Sequence, residues 1–173
     1  MELRFVSPNL PSLDELDAEV LACTVWSDVR PVHGVAGLVD WRMAGGFSRL
    51  LSRRRITGDL GEVVLLPGKP YLSFDKVIAF GAGPRASFDD DAYRRVVATM
   101  LRAMTDLAAR GMVVELPGRH DGLVPAEHAA DVLLASAGTR RDQDTWTLVE
   151  GVEGRQRITQ HMIEERRRVR RVL

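Results

Sequence analysis

Residues 18–26 (AEVLACTVW) form an almost unbroken apolar run, and a strand of that composition has to be covered on both faces. A sheet with one wet face would alternate apolar and polar residues, so the run points to a buried, largely parallel sheet. The rest of the pattern agrees. Short apolar or alternating runs at 2–6, 62–66, 76–80, 112–116 and 144–149 are separated by amphipathic stretches, the order of an α/β domain. The expected fold is α/β and three-layered, with a mixed, mostly parallel sheet flanked by helices.

The helices announce their ends. Ser12, Leu13, Asp14 and Glu15 read as a capping box opening one helical turn. Over 35–54, Leu38, Trp41, Phe47, Leu50 and Leu51 make an apolar stripe, with a break expected at Gly45-Gly46. Asp89, Asp90 and Asp91 supply a cap and an acidic first turn to a helix carrying Val96, Val97, Met100, Leu101, Met104 and Leu107. That helix is expected to stop at Gly111. Pro125 is placed as the first residue of a further helix reaching Ala137. A long basic helix is expected over 152–173, and the whole of 1–173 reads as one domain.

Composition narrows the class. With 45% hydrophobic and 28% charged residues, the chain can build a core and is not a disordered segment. No stretch reaches the roughly 18 apolar residues of a membrane span, and no basic segment leads into an apolar one at the N-terminus. With Cys23 as its lone cysteine, the chain has no internal disulfide to form, so a cytoplasmic setting without membrane contact is expected. Net charge is zero, but its distribution is uneven: residues 155–173 carry a net of +5. There Ile158, Met162, Val169 and Val172 share one stripe, while Arg166, Arg167 and Arg170 stand among the arginines around it. Such a helix can dock on its own sheet, meet a protein partner, or bind nucleic acid. The regular apolar stripe favours protein contact, and no aromatic is interleaved for base stacking.

Residues 33–88 carry the most distinctive motifs: His33-Gly34-Val35-Ala36-Gly37, the double glycine Gly45-Gly46, Gly58-Asp59-Leu60-Gly61-Glu62 leading into a strand, and a strand ending in Gly81-Ala82-Gly83-Pro84-Arg85. In this order they resemble the N-terminal domain of the leucyl aminopeptidases, over roughly residues 13–138. They also resemble the macro domains, which share its architecture. Both resemblances imply the same three-layer fold. The first implies the non-catalytic half of an enzyme whose two-zinc site and Asn-Thr-Asp-Ala-Glu-Gly-Arg signature lie elsewhere. That string is absent here, so no catalytic residue, metal or cofactor is expected. The second implies a crevice for an ADP-ribose-like ligand, although Cys23-Thr24-Val25-Trp26 stands where a macro domain has an Asn-rich sequence.

In open α/β sheets ligands sit beyond the carboxyl ends of the strands, where backbone N–H groups can hold phosphate. The candidate ligand-binding residues are therefore Gly34, Val35, Ala36, Gly37, Gly81, Ala82, Gly83, Gly118 and Gly122, read as three loops following strands. The plainer account of these glycines is tight turns and close helix–strand packing. His120, Asp121, Glu127, His128 and Asp131 form a polar cluster without metal-ligand spacing, so solvated side chains are expected. Cys23 is expected to be buried and inert. Arg49, Arg53, Arg54 and Arg55 suit the negative end of a helix dipole. The expected function is a non-catalytic, protein-interaction or oligomerisation module. A macro-type phosphate-ligand binder and a DNA-binding protein acting through the basic helix are the alternatives.

Overall fold

The structure, a computed structural model, describes residues 2–109, 111–138 and 145–172, with side chains described throughout these except at 166 and 168–172. One sheet holds six strands: β1 (Glu2–Val6), β2 (Val20–Trp26), β3 (Val63–Pro67), β4 (Lys76–Gly83), β5 (Gly111–Val114) and β6 (Thr145–Val149). Their spatial order is β1-β6-β5-β2-β4-β3. All neighbours are parallel except β3, which pairs antiparallel with β4.

The apolar run does what its composition requires. β2 is buried along its whole length near the middle of the sheet. Side chains alternate across a strand, so Val20, Ala22 and Trp26 join one core while Leu21, Cys23 and Val25 join the other. The first core is roofed by α4 (Asp90–Asp106), α5 (Ala126–Ala137) and α6 (Val152–Val172). The second lies under α1 (Leu10–Asp14), α2 (Gly34–Arg42) and α3 (Gly46–Ser52). The three-layer, mostly parallel α/β class is thus the observed one. No helix among the described residues is long and apolar enough to cross a membrane.

The break at Gly45-Gly46 falls where the sequence places it. Gly45 takes a left-handed φ of 76° between α2 and α3, and Asp40 fastens the junction by accepting the Ser48 N–H at 2.9 Å and hydroxyl at 2.6 Å. Four boundaries differ from expectation. α1 is capped by Asn9, whose Oδ1 accepts the Ser12 N–H at 2.9 Å, because a side chain one turn earlier reaches the free amide first. α4 ends at Asp106, and Gly111 opens β5 instead of closing the helix, since Ala108 already turns the chain with φ 51°. Pro125 is the cap before α5, one position outside the helix. β4 runs on through Gly83, so Gly81, Ala82 and Gly83 are strand and not loop.

α6 lies along α5. Arg157 donates to Glu127 at 2.7 Å, and His161 meets Asp131 at 2.9 Å, an equal advance on both helices that marks them as parallel neighbours. Ile158 is fully buried and Met162 packs on the same core, so these two stripe residues are spent on the chain's own fold. Arg167 is exposed. The side chains of Arg166, Arg170, Val169 and Val172 lie outside the described residues.

Candidate functional site

The parallel strands β2, β4, β5 and β6 end side by side, and the loops that leave them meet over a shared crevice. Its centre is a carboxylate. Glu115 directly follows β5 and is 6% exposed. Its Oε2 accepts the backbone N–H of Val35 at 3.1 Å, in the first turn of α2. The free amides and dipole of a helix N-terminus favour an anion, and here the protein supplies its own. Gly34 makes the approach feasible: with φ +61°, a Cβ there would stand 2.5 Å from that same oxygen.

Two further carboxylates flank it. Asp121 accepts the Trp26 indole N–H at 3.0 Å and the Arg85 Nε–H at 2.9 Å, with the His33 Nε2 at 3.6 Å. The Trp26 ring is held edge-on against Phe88, centroids 4.8 Å apart. Glu150, just past β6, takes a bidentate pair from Arg119 at 2.6 and 3.0 Å, and the third guanidinium nitrogen donates to the Val124 carbonyl at 2.6 Å. Gly154, in the first turn of α6, leaves room for this pair, since its Cβ would lie 2.2 Å from Glu150 Oε2. Asp121 and Glu150 therefore have guanidinium partners. Glu115 has none among the described residues: the imidazole of His120, stacked on His33 at 5.0 Å, stands 3.8 Å from Oε1. Burial first, then repulsion from Asp121 and Glu150, push its carboxyl up from 4.5 to about 7, against the Val35 hydrogen bond.

The predicted glycines fall into two groups. Gly34, Val35, Ala36 and Gly37 form the first turn of α2; Val35 and Ala36 are buried, and a Cβ on Gly37 would stand 2.9 Å from the Val32 carbonyl. Gly118 and Gly122 shape the loop carrying Arg119, His120 and Asp121, both with left-handed φ, and Gly118 lies against Phe88. Gly81 serves the fold: a Cβ would stand 2.0 Å from the Asp59 carbonyl, in the turn that crosses β4. Gly83, at the end of the same strand, lies against Leu60.

The polar cluster at 120–131 divides. His120 and Asp121 enter the crevice, whereas Glu127, His128 and Asp131 pair with Arg157, Asp90 and His161 respectively. No group of three or more potential metal-ligating side chains occurs among the described residues. Cys23 is free and buried, its thiol pushed far up by burial and by Glu115. Sequence reasoning missed Glu115, Glu150, Trp26 and Arg85. The available signal for Glu115 was a lone carboxylate in the apolar run 112–116.

Known proteins match this framework. Residues 25–142 fit the model of the cytosol aminopeptidase family, N-terminal domain. The probable cytosol aminopeptidase of Halorhodospira halophila is 31% identical over 88 residues, covering 51% of this chain and 18% of that protein. The chain thus spans about a fifth of that relative's length. Among solved structures, the macrodomain of Mycobacterium tuberculosis DarG superposes with a TM-score of 0.66 at 18% identity, over 86% of this chain and 98% of that one. The Trypanosoma brucei macrodomain, solved in complex with ADP, gives 0.68 at 13% identity, over 92% and 67%. At such identities the likeness is one of fold. Its matched sequence, by contrast, covers most of the chain, which belongs to the cytosol aminopeptidase family through the N-terminal domain.

Proposed function

We propose that this domain is a non-catalytic module that works through protein contacts, and that its crevice takes no phosphate ligand. The observation that carries the reading is Glu115 on the Val35 amide. A phosphate entering there would have to displace a carboxylate already in hydrogen-bond contact with the α2 terminus, and the two guanidinium groups beside it are already taken by Asp121 and Glu150. Like charges brought that close in a medium of reduced dielectric repel strongly. The T. brucei macrodomain was solved with ADP, but that occupancy is not carried to this chain with the acidic residues in place.

The outer edge of the sheet supports the positive half of the proposal. β3 is an edge strand without a charged residue, protected only by Pro67 at its end, whereas natural edges are normally blunted by charge, proline, cover or a bulge. Val63 and Leu65 sit opposite Phe80 and Ile78. α4 packs over β4, so those two are buried while Val63 and Leu65 remain 45% and 52% exposed. An uncharged antiparallel edge is self-complementary about a two-fold axis, so a second copy can extend the sheet. Light scattering should therefore give a mass above that of one chain. Leu65→Lys should return it to the monomer with the native fold kept, since this side chain is 52% exposed and not part of the core. A wild-type protein that stays monomeric at high concentration contradicts the self-association.

A further inference from the structure

Going beyond the proposed contact role, we infer that the cleft beside Glu115 is a binding site for a small organic cation, a short primary alkylammonium. The cleft has a volume of about 220 Å³ and is lined by Glu115, His120, Val149, Glu150, Gly151 and Pro8, with Arg119 and Gly154 at its wall. Of its two carboxylates, Glu150 is already neutralised by the bidentate Arg119. Glu115 is not. One oxygen takes the Val35 amide, whereas Oε1 accepts no hydrogen bond from a described residue and has the His120 Nδ1 beyond reach at 3.8 Å. A carboxylate oxygen that takes no hydrogen bond from the protein is free to accept one from a ligand.

Size and lining select the partner. At about 30 Å³ per water, the cleft holds on the order of seven waters' volume, too much for a bare ion and suited to a handful of heavy atoms. Among the described residues no set of three metal-ligating side chains exists to hold a divalent cation. The ammonium head would donate to Glu115 Oε1. Val149 and Pro8 offer an apolar wall to a short alkyl tail. The titratable groups around Glu115 are His120 and Asp121 from the 117–122 loop, Glu150 after β6, His33 before α2 and the buried Cys23 of β2. Arg119 and Arg85 are committed to Glu150 and Asp121. With both guanidinium groups engaged, an added cation completes the charge balance and an added anion worsens it.

The test uses n-butylammonium chloride as probe, read by the thermal midpoint of the intact protein against sodium chloride of equal ionic strength and against n-butanol. Above the Glu115 titration the amine should raise the midpoint, by linkage to the native state, while neither control does. Glu115→Gln should abolish the shift, and Glu2→Gln, on the exposed edge, should retain it. In the wild type the apparent affinity should weaken about tenfold one pH unit below the Glu115 midpoint, where about a tenth of the carboxylate is ionised. No shift, a shift matched by butanol, or a shift that survives in Glu115→Gln would each overturn the assignment. ADP-ribose binding is a separate measurement, so the failure of either reading can be told from that of the other.

Discussion

Arg119→Leu is expected to lower the unfolding free energy by about 3–5 kcal/mol, the range found when one partner of a buried pair is removed. The reason is what it leaves behind. Side-chain exposures of 14% and 7% put Arg119 and Glu150 in a low-dielectric pocket between β6, the 117–122 loop and α6. Deleting the guanidinium strands the Glu150 carboxylate beside Glu115 and removes the donor to the Val124 carbonyl. Arg119→Leu combined with Glu150→Leu should recover most of the loss, because two apolar side chains need no partner. Urea denaturation of the wild type, both single variants and the double variant measures the cycle. A loss below about 1 kcal/mol for Arg119→Leu would place the pair among ordinary surface ion pairs and contradict the geometry.

Glu115→Gln, in contrast, should stabilise the protein at alkaline pH. Its folded carboxyl titrates at about 7 against the usual 4.5, so the native state holds the proton more tightly than the unfolded chain. The stability this contributes is fully present below pH 4.5 and is lost as pH rises through about 7. Above that, the wild type carries a buried, uncompensated charge, at a cost of up to about 3 kcal/mol for a displacement of this size. Glutamine can still accept the Val35 amide through its carbonyl and carries no charge. Near pH 5 the two proteins should be close in stability. Near pH 8 the variant should be ahead by about 1–3 kcal/mol, and its stability should be flatter across the interval. A variant that is less stable at pH 8, with the pH dependence intact, would show that Glu115 is not the titrating group.

The fold was legible because its strongest signals are local. The run at 18–26 could be satisfied in few ways other than a strand buried on both faces, and the Gly45-Gly46 break and the Asp89 cap act within one turn of chain. Boundaries slipped where tertiary contacts extend or shorten an element. Gly81 and Gly83 looked like loop residues, yet pairing with Val25 and Trp26 of β2 holds them in β4, and the 58–61 turn packs where side chains would stand. The site was less legible for the same reason. Glu115 lies inside the apolar run 112–116 but just past the end of β5, a position where a carboxylate is usually solvated. Its burial comes from α2 and the 117–122 loop, which lie far from each other in sequence. His161 and Asp131, 30 residues apart, leave no periodic trace of their pairing, so Asp131 read as a solvated side chain. The sequence groups Ile158 and Met162 on one stripe of α6 but gives no sign that the two face the chain's own core.

Glu115 holds, at the Val35 amide, the position that a phosphate would need. Titration calorimetry of the wild type with ADP-ribose near pH 8, where Glu115 is ionised, tests this most directly. The structure predicts no saturable heat of binding. One-to-one binding of ADP-ribose, weakened by Gly37→Glu at the first turn of α2, would contradict it and show that the crevice admits phosphate despite Glu115, Asp121 and Glu150.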